Sequence, residues 1–146
     1  MSQENVEVVR RAWETFTRGM DQNDPGVVFD EGLFAPTATL TPVRELPGSR
    51  TYVGREGFLQ MLQEWAGDFT DWHASSEKII DAGDDRVLVV VRQSGRGKAS
   101  GVLVENEFSA VYTVRDGRVV DQKHYLDPAE ALEAAGLSEQ DAHADS

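Results

Sequence analysis

The residues best suited to chemistry lie on two strands that flank a predicted turn at Asp116-Gly117. An Asp-Gly pair between alternating apolar runs is a strong signal for a two-residue β-hairpin. With these two as the loop of a type I′ turn, Arg115 pairs with Arg118, and Ser109 faces His124 further along. Side chains alternate across a strand, so this register divides the hairpin into two faces. We expect the inward face to carry the site.

One face of this hairpin carries His124, with Ser109 opposite it and Glu107 as a diagonal neighbour. A carboxylate in that position would orient the imidazole and favour its charged form, which gives a general base near neutral pH. Such a base can remove a proton next to a carbonyl. Gln122 and Ser109 would then hydrogen-bond the enolate oxygen, and Val111 completes the face. The alternative is a buried, hydrogen-bonded histidine in an inert cavity.

The other face carries a second candidate pair, Tyr112 opposite Asp121. A tyrosine donor beside a carboxylate is also usable chemistry. The same face brings Phe108 opposite Tyr125, and aromatic residues are enriched at protein interfaces. In this register the His124 pair and the Tyr112 pair lie on opposite faces, so only one of them lines the interior.

Aromatic and apolar residues at helical spacing indicate the elements that cover the sheet. Trp13 and Phe16 belong to a first helix, and Phe58, Met61 and Trp65 belong to a helix that starts at Gly54. Residues at this spacing commonly form a core. They would also suit the wall of a pocket for a hydrophobic ligand.

The order of elements predicts an α+β fold. Helices come first with one short strand, then a run of long antiparallel strands, and then a short helix that Asp127-Pro128 begins and Gly136 ends. We predict one domain over residues 1–137 and an acidic, disordered tail over residues 138–146.

Composition excludes several classes of function. The net charge of −12 argues against a nucleic-acid partner, which would need a basic surface. The chain has no cysteine and only three scattered histidines, so we predict neither a metal site nor a cofactor. We find no signal-peptide pattern and no apolar run of the roughly 20 residues that a membrane span needs. We therefore predict a cytoplasmic protein without a membrane partner.

Taken together, three features make the chain resemble the nuclear transport factor two-like superfamily, and within it the SnoaL-like group that includes polyketide cyclases. They are the element order with its aromatic first helix around Trp13, the helix start Gly54-Arg55-Glu56-Gly57, and the segment Asp116-Gly117-Arg118-Val119-Val120. The resemblance covers roughly Ser2 to Leu137. It implies an α+β cone, in which N-terminal helices pack on a strongly curved antiparallel or mixed sheet around a small-molecule pocket.

The resemblance also implies a homodimer formed through the outer face of the sheet. With the His124 face inside, this interface would be the face that bears Phe108, Tyr112 and Tyr125.

In the cyclases, an aspartate on the last strand acts as general base on an acidic carbon, and by spacing from the hairpin the matching position here is His124. A cofactor-free isomerase or cyclase acting on a hydrophobic carbonyl compound fits these residues best, with His124 and Glu107 as catalytic residues. The alternative is a non-catalytic ligand-binding or interaction domain with a vestigial pocket. The tyrosine and two carboxylates of ketosteroid isomerases are not reproduced at recognisable positions.

Overall fold

The computed structural model describes residues 2–46 and 48–138. In this part of the chain, four helices and six strands follow one another in the predicted α+β order. They are α1 (Ser2–Asp21), α2 (Val27–Asp30), β1 (Phe34–Thr41), β2 (Tyr52–Val53), α3 (Gly54–Ala66), β3 (Phe69–Gly83), β4 (Arg86–Gly97), β5 (Leu103–Arg115), β6 (Arg118–Tyr125) and α4 (Pro128–Ala135). The predicted tail falls almost entirely on residues 139–146, which lie outside the described residues.

The strands form one mixed sheet in the order β2-β1-β6-β5-β4-β3. Only the β1–β6 pair is parallel, and the other neighbouring strands of the sheet run antiparallel. The sheet does not close on itself, because β2 and β3 remain as its two edges. Helices α1 and α3 pack against one face, and α4 packs against the other. The predicted fold class is confirmed.

Strand β4 separates the two cores of the protein. Val87, Val89 and Val91 are buried in the large core beneath α1 and α3, whereas Leu88 packs on the opposite face against Ala131 of α4. The unbroken apolar run of this strand is explained by its cover on both faces.

The hairpin between β5 and β6 begins as the sequence predicts. Asp116 and Gly117 both have positive φ, 52° and 75°, which is the backbone of a type I′ turn. Arg115 pairs with Arg118 across it. The turn therefore sets the first pair of the ribbon.

A β-bulge then shifts the register of the ribbon. Val114 pairs with Val119, but the next residue, Thr113, pairs with Asp121, so Val120 is an extra residue on β6. Bulges of this kind leave one residue unpaired and bend the strand. The bulge lies beside β1, the parallel neighbour of β6. The pairing of β1 with β6 is also irregular at this place, between Phe34 and Thr39.

Beyond the bulge, the predicted pairs are wrong by one residue. His124 lies opposite Ala110 rather than Ser109. A shift of one residue sends every following side chain of β6 to the other face. The remaining pairs change accordingly: Tyr112 faces Gln122 instead of Asp121, and Tyr125 faces Ser109 instead of Phe108.

The last helix has the predicted ends. The Asp127 side chain accepts a hydrogen bond of 2.9 Å from the backbone N–H of Ala129, and Gly136 adopts a left-handed φ of 77°. Within the described ranges, none of the helices combines the length and the apolar character that crossing a membrane requires.

Candidate functional site

An apolar cavity of about 50 Å³ lies between the helices and the sheet. Its wall combines side chains of α1 and α3 with the inward residues of β5 and β6. Seven residues that the sequence indicated for the site are brought together here: Trp13, Phe16, Phe58, Met61, Trp65, Gln122 and His124.

Three polar side chains interrupt this apolar wall on the sheet side. Tyr112 of β5 lies directly opposite Gln122 of β6, and His124 follows two residues later on the same face. Gln122 Nε2 lies 2.8 Å from His124 Nε2. If the amide nitrogen donates this bond, the imidazole proton lies on Nδ1. With the amide turned over, its oxygen accepts from Nε2 and Nδ1 is a free base.

His124 is deeply buried, with 7% of its surface exposed. Its ring packs against Phe108 at a centroid distance of 4.7 Å and against Trp65 at 5.5 Å. Burial among these rings lowers the pKa of His124 to about 3, so the imidazole is neutral at physiological pH. The expectation of a charged imidazole held by a carboxylate is wrong.

Two nitrogens on the cavity wall have no partner within the described part of the chain. They are His124 Nδ1 and Trp13 Nε1, and both are buried. A buried polar atom without a hydrogen bond costs about 1–3 kcal/mol. Such atoms in a cavity wall are positioned to meet a polar atom of a ligand.

Tyr112 supplies a third polar group to the cavity. Burial raises the pKa of its hydroxyl, and the nearby Trp13 indole and Gln122 amide offset part of this rise. The indole Nε1 is close enough to act on the Tyr112 hydroxyl but does not meet it in hydrogen-bonding geometry. Tyr112 is therefore a neutral hydroxyl donor that shares the cavity with His124.

Three residues predicted for the site lie elsewhere, because the bulge turns them away from His124. Glu107 is exposed on the outer face, where its carboxylate lies 3.5 Å from Arg92 Nη2. Ser109 and Val111 share that face, and Val111 packs into the core under α4. The predicted pair of Glu107 with His124 does not form.

The predicted dimer surface is also wrong. Phe108 and Tyr112 are buried and line the cavity, whereas Tyr125 lies on the other face beside the core under α4. Asp121, the predicted partner of Tyr112, instead accepts a hydrogen bond of 2.5 Å from the Thr39 hydroxyl. Neither of the two predicted pairs forms. Instead, Tyr112, Gln122 and His124 lie together on the inner face.

Sequence reasoning missed several contributors to the site, among them Tyr112, Phe108 and Trp72. Tyr112 was assigned to the outer face, and no local pattern around Val120 marks the bulge that brings it inside. Trp72 of β3 was not singled out, although it alternates with Ala74, and both line the cavity. Alternation over that strand was the signal that could have found it.

No set of three His, Cys, Asp or Glu side chains that could hold a metal ion occurs within residues 2–46 and 48–138.

A larger cleft of about 510 Å³ opens directly outside the cavity. Trp65, Trp72 and Phe108 line both spaces and separate them. The cleft also contains an ionic cluster: Arg50 contacts the Glu64 carboxylate through two nitrogens, at 2.9 and 3.3 Å. The cleft is more polar than the cavity behind it.

Comparison with known proteins gives a family and a fold. The model of the SnoaL-like domain family matches residues 9–122. No curated protein matches the sequence. A putative SnoaL-like polyketide cyclase from Jannaschia sp. CCS1 is 19% identical over 93% of this chain and 94% of its own, with a TM-score of 0.69.

Two further solved structures have the same fold. Bal32a, from a soil-derived mobile gene cassette, is 20% identical, with 91% of this chain and 96% of its own covered and a TM-score of 0.70. TerC, co-crystallized with polyporic acid, is 17% identical, with 91% and 98% covered and a TM-score of 0.67. At these identities the likeness establishes the fold, an α+β cone.

Proposed function

The chain belongs to the SnoaL-like domain family, and from this premise we propose that it binds a small, largely apolar organic molecule that carries a carbonyl oxygen. The carbonyl-bearing end of the ligand enters the cavity, where its apolar part lies against the helix residues Phe16, Phe58 and Met61. Its oxygen points to the sheet side, towards Tyr112 and His124. The structural relative that was co-crystallized with polyporic acid supports a small organic ligand for this fold.

The observation that carries this proposal is the pair of buried nitrogens in a mainly apolar wall, Trp13 Nε1 and His124 Nδ1, that no described residue meets with a hydrogen bond. A carbonyl oxygen accepts hydrogen bonds, and the Trp13 indole N–H and the Tyr112 hydroxyl can both donate them. Binding would satisfy the indole N–H, which has no hydrogen-bond partner in the part of the chain that the structure describes. Apolar pockets with few convergent polar groups are typical small-molecule sites.

Proton transfer is the second candidate, and the Gln122–His124 hydrogen bond favours it. With the amide oxygen accepting from Nε2, the Nδ1 lone pair of His124 is free to take a proton from the carbon next to the carbonyl. The C–H electrons then form an enolate, whose oxygen Tyr112 stabilises by donating its hydroxyl proton in a hydrogen bond. Return of the proton to another carbon completes an isomerisation without a cofactor.

The low pKa of His124 sets a condition on this second candidate. A weakly basic imidazole removes a proton only from a carbon that the carbonyl and its hydrogen-bond donors have made acidic. Glu107 has no part in it, because it lies on the outer face. If no turnover occurs, the protein is a non-catalytic binding domain with the same cavity.

Dimerisation, a cytoplasmic location and the absence of a nucleic-acid partner remain predictions. The net charge of −12 supports the last of them.

A matched pair of probes tests the binding proposal. 2-Acetylnaphthalene and 2-ethylnaphthalene differ in the carbonyl oxygen, so we expect the ketone to raise the melting temperature more. Trp13→Phe should remove much of this difference, because it deletes the indole donor. Phe16→Leu, which changes apolar lining alone, should preserve the difference. Equal shifts for ketone and hydrocarbon in the unmodified protein would refute the proposal.

A further inference from the structure

The inner cavity is too small to hold a complete organic ligand by itself. Its volume is about 50 Å³, whereas ligand sites usually measure roughly 300–1,000 Å³. The cleft outside has about 510 Å³. Trp65, Trp72 and Phe108 form the wall between the two spaces. The volume that a ligand needs is therefore present, but on the far side of three side chains.

We propose that the cleft is the outer half of one binding site, and that the ligand is an elongated molecule with an apolar carbonyl end and an uncharged polar end. The carbonyl end enters past Trp65 to reach His124, and the polar end stays in the cleft. This inference rests on the proposed function, because it takes the carbonyl end of the ligand from there.

Trp65 is the part of the wall best placed to move. It lies in the last turn of α3, one residue before the helix ends at Ala66, and is only half-buried. Its ring meets Phe108 edge to face at 6.1 Å and His124 at 5.5 Å. Trp65 therefore covers one side of His124, and its displacement would open the wall at this point and uncover part of the imidazole.

Neutral hydrogen-bonding groups line the sheet side of the cleft. Gln93 of β4 and Asn106 of β5 both belong to its wall and pair with each other in the ladder. Among residues 2–46 and 48–138, neither of these two side chains has a hydrogen-bond partner. Amide groups of this kind suit a ligand hydroxyl or amide, because they can both donate and accept.

The charged groups of the cleft disfavour an anionic ligand. Arg50 is already engaged, since its guanidinium contacts Glu64 and lies 4.4 Å from the centre of the Tyr52 ring. Tyr52 donates a hydrogen bond of 2.6 Å to the same carboxylate, and these bonds lower the pKa of Glu64. Asp68 adds a further carboxylate to the wall. A carboxylate on the ligand would be repelled by Glu64 and Asp68, and Arg50 is already paired with Glu64.

Three 4-acetylbiphenyls that differ at the 4′ position test this inference by calorimetric titration. Relative to 4′-methyl, we expect 4′-hydroxymethyl to bind about 3- to 10-fold more tightly, as one added hydrogen bond implies, and 4′-carboxylate to bind more weakly. Asn106→Ala should reduce the advantage of the hydroxymethyl probe. Glu107→Ala, the matched change on the outer face of the same strand, should preserve it.

Acetophenone separates failure of this inference from failure of the proposed function, because it has the carbonyl end alone. If acetophenone and all three biphenyls fail to bind, the proposed function is wrong and this inference falls with it. If the ketones bind but the three 4′ groups make no difference, the outer half of the site is refuted and the inner one stands. If Asn106→Ala and Glu107→Ala reduce the advantage of the hydroxymethyl probe equally, the cleft does not bind the polar end of the ligand.

Discussion

Gln122 and His124 lie two residues apart on β6 and share one side-chain hydrogen bond of 2.8 Å on the cavity wall. That bond occupies Nε2 of the imidazole, and Nδ1 is buried with no partner among residues 2–46 and 48–138. The pair fixes the orientation of the ring at the bottom of an apolar cavity. Burial keeps His124 neutral, and its second nitrogen remains available to a ligand.

Acid should destabilise the protein through His124. Its folded pKa of about 3 lies below the unfolded value of about 6.5, so the unfolded chain binds more protons between these values, and stability falls as the pH falls through this window. The slope attributable to this one group is at most about 1.4 kcal/mol per pH unit. Urea unfolding between pH 7 and pH 4 measures it, with His124→Gln expected to flatten the slope.

His73 is exposed, so His73→Gln provides the control for the exchange of histidine for glutamine itself. Its free energy of unfolding at pH 7 should stay within about 0.5 kcal/mol of that of the unmodified protein. Identical slopes for unmodified protein and His124→Gln would mean that His124 is not buried in its neutral form.

Removing the Tyr112 hydroxyl should weaken binding of a carbonyl ligand without unfolding the protein. Tyr112→Phe keeps the ring, and loss of one hydrogen bond predicts about a 3- to 10-fold rise in Kd. If the protein catalyses proton transfer, kcat should fall by about 100-fold or more, because the enolate loses its donor. Tyr125→Phe, a change on the other face, is the matched control, and a similar loss in both variants would remove Tyr112 from the site.

Glu107→Gln should change neither ligand affinity nor the titration of His124. The Glu107 carboxylate contacts Arg92 on the outer face, where ion pairs contribute about 0–1 kcal/mol to stability. Calorimetric titration with 2-acetylnaphthalene and the urea series above are the measurements. A tenfold loss of affinity for 2-acetylnaphthalene would mean that Glu107 belongs to the site, which would contradict the observed register.

Thr39 should prove important for the stability of the bulged region. Its hydroxyl donates to Asp121 at 2.5 Å and lies 3.5 Å from the carbonyl oxygen of Val120. We expect Thr39→Val to lower the free energy of unfolding by about 1–2 kcal/mol, because the Asp121 carboxylate loses a donor. Thr41→Val breaks only an exposed contact with Thr51, so its effect should stay within about 0.5 kcal/mol.

The sequence predicted most reliably what local periodicity determines. Trp13 and Phe16 line the cavity as expected, because helical spacing fixes the face on which they lie, whatever the rest of the chain does. The Asp116-Gly117 turn was equally local, and so were the two ends of α4.

Prediction failed where the outcome depends on a distant part of the chain. Val120 sits in a run that alternates acceptably in either register, and the irregular ladder that flanks it involves β1, some 80 residues away. No residue near Val120 marks the bulge. The choice between Glu107 and Tyr112 as the companion of His124 therefore could not be made from the hairpin itself.

The bulge at Val120 also affects how residues of this strand are compared between relatives. Counting from the Asp116-Gly117 turn is correct up to Val119, but it is out of phase for Gln122 and His124. A homologous strand without the extra residue must be aligned with a gap at this place before any functional position is transferred. Deletion of the Val120 codon would leave Asp121 opposite Thr113 and His124 opposite Ala110, so it would remove the bend at the bulge while the residues from Asp121 to Tyr125 keep their faces.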